Sequence, residues 1–140
     1  MKKRAAFFVL ALVLLLLLTA CTPQGDTVER FAEANPGSGE QIDIPGYETL
    51  TFAAGSRRQS VYFPNPEKNA ALFVMELSLE DGETLWTGRE LSPGEVFTGI
   101  TLKRALAEGE YAATLHYACF STEDHTPLNG ADVKLKLNVN

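Results

Sequence analysis

Ala131-Asp132-Val133-Lys134-Leu135-Lys136-Leu137-Asn138-Val139 alternates apolar and polar residues without a break. A period of two places Ala131, Val133, Leu135, Leu137 and Val139 on one face, with Asp132, Lys134, Lys136 and Asn138 on the other. One face of such a strand is buried and the other is wet. The period recurs upstream. Over Glu110–Phe120 it puts Tyr111, Ala113, Leu115, Tyr117 and Cys119 on one side, and Ala112, Thr114, His116 and Ala118 on the other. Over Ala71–Leu79 it groups Phe73, Met75, Leu77 and Leu79 against Glu76 and Ser78. Weaker strands are expected at Thr49–Ala53, Gln59–Phe63, Thr84–Thr87 and Glu95–Leu102.

The connections between these strands carry turn chemistry. Pro64-Asn65-Pro66-Glu67-Lys68-Asn69 separates two of them, and Asp81-Gly82 is a hairpin signal between Leu79 and Thr84. Ser92-Pro93-Gly94 and Glu108-Gly109 bound the next two. Helical pattern is nearly absent; Lys103–Glu108 is expected to form at most one helical turn. About seven short strands, with turns every eight to twelve residues, predict an all-β fold, a β-sandwich.

One corner adds detail. Leu106-Ala107-Glu108-Gly109-Glu110-Tyr111 leads into an alternating strand. It resembles the tyrosine corner of immunoglobulin-like sandwiches, where the tyrosine hydroxyl bonds back to the preceding corner. The cysteine that antibody domains carry two residues later is Ala113 here, and Trp86 does not stand on a central strand. The resemblance is therefore to the broad immunoglobulin or fibronectin-like class. Phe63-Pro64-Asn65-Pro66, Leu91-Ser92-Pro93-Gly94, Leu106–Tyr111 and Pro127-Leu128-Asn129-Gly130 are also similar to small uncharacterised surface lipoproteins of Gram-positive bacteria. That likeness implies no catalytic residue.

The N-terminus has a different character. Lys2, Lys3 and Arg4 precede an apolar run, Ala5–Leu18, that ends in Leu18-Thr19-Ala20-Cys21. A positive segment, an apolar core and small residues before a cut make a secretory signal peptide. The core is shorter than the roughly 20 residues that span a bilayer as a helix. Leu18-Thr19-Ala20-Cys21 resembles the lipobox of bacterial lipoproteins. That resemblance implies residues 1–20 as signal peptide, a diacylglyceryl group on the Cys21 thiol, and a lipid-anchored protein on the extracytoplasmic face of a bacterial cell membrane. Two acyl chains make such attachment stable where one binds only marginally.

Cleavage before Cys21 leaves 120 of the 140 residues, enough for one domain and a tether. Without Lys2, Lys3 and Arg4, nine basic residues stand against eighteen acidic ones, a net charge of −9. Such a balance argues against nucleic acid as a partner, because phosphate neutralisation needs clustered Lys and Arg. It also argues against electrostatic adhesion to anionic headgroups. Residues 21–43, with Pro36-Gly37-Ser38-Gly39 at their centre, are expected as a flexible tether. Val28–Ala34 has too few apolar positions to dock on a core and is expected to form a transient helical turn or two. The sandwich is expected over residues 44–140. With Cys21 lipidated, Cys119 has no partner for a disulfide, and its face places it in the core.

Chemistry-bearing residues are sparse. Only two histidines exist: His116 on the polar side of its strand, and His125 in Ser121-Thr122-Glu123-Asp124-His125. Neighbours such as Glu123, Asp124 and His125 point in different directions on an extended chain, so the segment reads as a solvated loop and not a metal site. Asp124, Asn129 and Asp132 lack the dense acid alternation of a calcium loop. No hydrolase, zinc-protease or phosphate-loop motif occurs. Glu76, an acid within an apolar strand, reads as solvated. Neither a catalytic residue nor a metal ligand nor a cofactor is expected.

Trp86 beside Arg89 has the composition of an interface hot spot, or else Trp86 closes one end of the sandwich. The sequence thus predicts a non-catalytic, lipid-anchored binding or accessory module. Its partners would be the membrane, through the lipid on Cys21, and an envelope protein or a glycan. The alternative is a secreted inhibitor of a protease or other hydrolase, presenting Glu67-Lys68-Asn69 or Thr122–Pro127 as its loop.

Overall fold

A computed structural model describes residues 25–30 and 42–140. Cys21, the signal peptide and most of the expected tether lie outside the described residues. Among the described residues eight strands form two sheets: β1 (Thr27–Arg30), β2 (Thr49–Phe52), β3 (Arg58–Pro64), β4 (Ala71–Leu79), β5 (Thr84–Thr87), β6 (Glu95–Thr101), β7 (Gly109–Ser121) and β8 (Pro127–Val139). A three-stranded sheet runs β1-β6-β3 and a five-stranded sheet runs β2-β8-β7-β4-β5. The fold is an all-β sandwich. Among the described residues no helix is long and apolar enough to cross a membrane.

The strongest alternations became the centre of the larger sheet. β4, β7 and β8 pair antiparallel, with Leu77 opposite Leu115 and Leu115 opposite Val133. Their inward residues, Phe73, Met75, Leu77, Leu115, Tyr117, Leu135 and Leu137, pack against Phe63, Phe97 and Ile100 of the smaller sheet. β2 joins the edge beside β8 in parallel, Leu50 opposite Leu137. A parallel neighbour needs a long return path, and β2 lies far before β8 in sequence.

The strand pairing carries irregularities. The register of β3 against β6 shifts between Ser60 and Phe63. The alternation of β3 itself continues through the shift, with Phe63 fully buried and Tyr62 outward, 59% exposed. A second shift falls between Tyr117 and Cys119 on β7. There, a Cβ on Gly130 would lie 2.2 Å from the Tyr117 carbonyl oxygen, so only glycine lets the strands approach.

The corner before β7 forms as expected: Tyr111 Oη donates to the Ala107 carbonyl at 2.8 Å. The connection Lys103–Glu108 contains no helical turn. Instead Lys103 N donates to Leu85 O, and Leu106 O accepts from Gly55 N. These long-range bonds tie the extended connection to β5 and to the loop after β2. Leu102 and Leu106 are buried.

Part of the expected tether is a strand. Thr27–Arg30 forms β1 and pairs antiparallel with β6, Val28 opposite Phe97 and Arg30 opposite Glu95. A helical turn does not form at these residues. The free edge of β6 supplies unpaired backbone groups, and such an edge captures a strand with little apolar content.

Candidate functional site

Trp86 is 2% exposed, and this corrects its expected role as an exposed hot spot. β5 has four residues, and both Leu85 and Trp86 are buried although they point to opposite faces. The indole packs edge-on against Phe97, centroids 5.1 Å apart at 89°, and tilted against Phe63 at 5.9 Å. Such aromatic pairs contribute about 0.5–1.5 kcal/mol beyond area burial. Gly88 makes room for the ring: a Cβ there would stand 2.7 Å from Cζ2 and Cη2. The remaining cover comes from Asp26, whose Oδ2 accepts the indole Nε1–H at 2.7 Å. Trp86 therefore closes the sandwich, the other role open to it.

Arg89 does not join it. Its guanidinium is half exposed and donates to Glu95 Oε2 at 3.3 Å and to the Glu90 carbonyl. Glu95 also accepts from Ser92 N at 2.9 Å and lies 3.9 Å from Arg30. Partial burial pushes the Glu95 carboxyl up, but the Ser92 amide and the Arg89 and Arg30 charges more than offset this. The group lies below its ordinary value.

The wet face of the larger sheet carries a polar row across four strands. Thr87 on β5 stands opposite Glu76 on β4, Glu76 opposite His116 on β7, and His116 opposite Asp132 on β8. Glu76 accepts from Ser78 Oγ and Thr84 Oγ1, each at 3.2 Å, and from Thr87 Oγ1 at 3.4 Å. His116 Nδ1 bonds Asp132 Oδ1. Both side chains of that pair are more than half exposed, so their attraction is screened by water. The row offers a strip of acceptors and one imidazole to a polar partner.

The other expected candidates are dispersed. His125 adopts φ 58° at a loop tip, and its Nε2 lies 3.4 Å from Glu90. Asp124 is occupied by Thr126, which donates both its amide and its hydroxyl. These bonds hold the Asp124 carboxyl below its usual range, the amide bond first. Asp132 belongs to His116, so Asp124 and Asp132 serve different partners. Lys68 in the loop after β3 pairs with Asp43 at 2.8 Å. Cys119 is a buried free cysteine, and burial pushes its thiol up.

Two features had no sequence signal. Asn65 and Asn69, in a loop that reads as solvated turn, are buried. Asn65 Nδ2 donates to the carbonyls of Ala71 (2.8 Å) and Leu91 (3.0 Å), and its Oδ1 accepts from Asn69 Nδ2 at 2.9 Å. The half-buried Tyr47 and the buried Tyr117 interact through their hydroxyl groups. Burial pushes Tyr47 up to about 12, and burial raises Tyr117 as well. Tyr47 Oη donates to Tyr62 O at 2.8 Å.

Open depressions of about 490 and 450 Å³ flank Tyr111 on either side, sharing Glu110 and Ala112. Lys134 and Lys136 line the first and Asp81 the second. No protein-family model, no curated protein and no solved structure matches the chain.

Proposed function

We propose that the protein is a lipid-anchored module of a bacterial envelope, a non-catalytic binding or accessory domain of immunoglobulin-like type. The observation that carries this reading is the N-terminal sequence: Lys2-Lys3-Arg4, an apolar run, and Leu18-Thr19-Ala20-Cys21. Two acyl chains on Cys21 hold the protein at the membrane without a spanning segment. The arrangement of strands supports the immunoglobulin-like part. β3 and β6 face β4, β7 and β8, with β5 added beyond β4, and a bonded tyrosine opens β7. The same placement of paired strands and corner tyrosine characterises that class.

Contact with an envelope protein or a glycan fits the polar row Thr87–Glu76–His116–Asp132, in which Thr87, His116 and Asp132 are exposed. Membrane fractionation tests the anchor. Wild-type protein is expected with the membranes and released only by detergent, and Cys21→Ser is expected in the soluble fraction or retained as uncleaved precursor. Processed Cys21→Ser protein that needs detergent for its release would overturn the reading.

A further inference from the structure

Asp26 is fixed to the sandwich by two bonds. Its Oδ1 accepts from Thr101 N at 2.9 Å and its Oδ2 from Trp86 Nε1 at 2.7 Å. Arg58 fixes the residues on either side. From the start of β3 its guanidinium crosses Gly99 of β6, which has no side chain to block it. It then donates to the Gly25 carbonyl and to Thr27 Oγ1. β1 continues this attachment along the edge of β6 as far as Arg30. The chain is thus held over Gly25–Arg30, and Thr22, Pro23 and Gln24 stand between that segment and Cys21.

Four residue steps span at most about 14 Å even when fully extended. A free tether through residue 43 would reach up to roughly 75 Å by the same measure. The end at which the chain joins the sandwich is also defined. Thr101, Leu102, Arg57 and Leu85 meet there. The hairpin tip Asp81-Gly82 lies at that end as well, since Lys103 bonds Leu85 at the start of β5. β1 runs from there to Arg30, opposite Glu95, at the other end. The loops 64–70, 91–94 and 121–127 lie at that far end: Gly94 bonds Asn65 and Thr122 bonds Ala70. Eight strand steps from Ala71 to Leu79 separate the ends by roughly 27 Å.

We infer that Gly25–Arg30 is a strap that holds the Asp81/Thr101 end of the sandwich next to a phospholipid surface. The far loops, with the hydrogen-bonded Asn65–Asn69 turn among them, are aimed away from it. This rests on Cys21 as the lipid attachment point. Covalent geometry sets the orientation, and no attraction between this acidic domain and headgroups is required.

The test uses the full-length lipidated protein in phosphatidylcholine vesicles that contain a headgroup-linked quencher. A fluorophore is placed at Asp81→Cys in one sample and at Glu123→Cys in another; Cys119 is buried and Cys21 is acylated. Quenching is expected to be several-fold stronger at position 81 than at 123. Removing the strap's bonds with Asp26→Ala and Arg58→Ala together is expected to bring the two toward equality, while circular dichroism reports the sandwich intact. Equal quenching in the wild-type protein, or stronger quenching at 123, overturns the inference. The anchor is read separately by fractionation of Cys21→Ser. Detergent-dependent membrane retention of the processed variant removes the anchor and this inference with it, whereas release with equal quenching in the wild type removes the strap alone.

Discussion

Replacing Asn65 separates a buried structural turn from a solvated one. The side chain is fully buried and makes three hydrogen bonds, two donated to backbone carbonyls and one accepted from Asn69. A net contribution of about 1 kcal/mol for each bond gives about 3 kcal/mol lost in Asn65→Ala. For a domain near 100 residues this corresponds to a fall in Tm of roughly 15 °C. Asn65→Asp keeps the shape but turns an acceptor toward the carbonyls of Ala71 and Leu91. A buried carboxylate facing two carbonyl oxygens favours its neutral form, so its folded-state pKa is raised above the unfolded value of about 3.9. The sign follows from that shift. Below the unfolded value both states hold the proton and no ionisation penalty exists; as pH rises above it the folded state loses stability relative to wild type. Urea denaturation of wild type, Asn65→Ala and Asn65→Asp between pH 3.5 and pH 7 (roughly the span of carboxyl titration) measures these differences. Asn65→Asp is expected to be the least stable of the three at pH 7 and to recover toward Asn65→Ala at the acid end. A loss under about 0.5 kcal/mol for Asn65→Asp at neutral pH would refute the buried turn, since surface changes fall in that range.

Other substitutions probe other parts of the fold. Tyr111→Phe removes the bond to the Ala107 carbonyl and is expected to cost about 1 kcal/mol by urea denaturation, with the secondary structure unchanged. Gly88→Ala drives a methyl into the Trp86 ring, and overpacking of this kind costs about 1–3 kcal/mol; the emission of Trp86, the sole tryptophan, is expected to shift, and unchanged emission would contradict the contact. Glu95 has a folded pKa below its ordinary 4.5, so its contribution is fully present above that value and is lost as pH falls through the depressed one. Glu95→Gln is therefore expected to lower Tm at pH 7 and to match wild type in acid; a Tm difference independent of pH would contradict the assignment.

How much of this was legible in the sequence depends on how local each cause is. β4 and β5 fall where their alternation and the Asp81-Gly82 turn place them, and β7 and β8 extend one to four residues beyond the expected bounds. The tyrosine corner was readable because donor and acceptor are four residues apart. β1 was not. Its four residues carry one apolar side chain, Val28, and its hold on the domain comes from Asp26 reaching Trp86 and Thr101, 60 and 75 residues away. The same distance hid the burial of Trp86, because period two on a short strand exposes either Leu85 or Trp86 unless something covers the second face. Asn65 and Asn69 were obscured by composition: Pro64–Asn69 reads as turn whether its asparagines face water or carbonyls. Glu76, His116 and Asp132 were each assigned to wet positions, but their alignment in one row needed the register of three strands.

Everything proposed about location and orientation depends on the chemistry of one thiol. Protein extracted from membranes with detergent can be digested and its N-terminal peptide weighed. The peptide expected begins at Cys21 and carries the mass of a diacylglyceryl group on the sulfur. A peptide that begins at Met1, or an unmodified Cys21 in membrane-associated protein, would contradict the anchor and with it the strapped orientation.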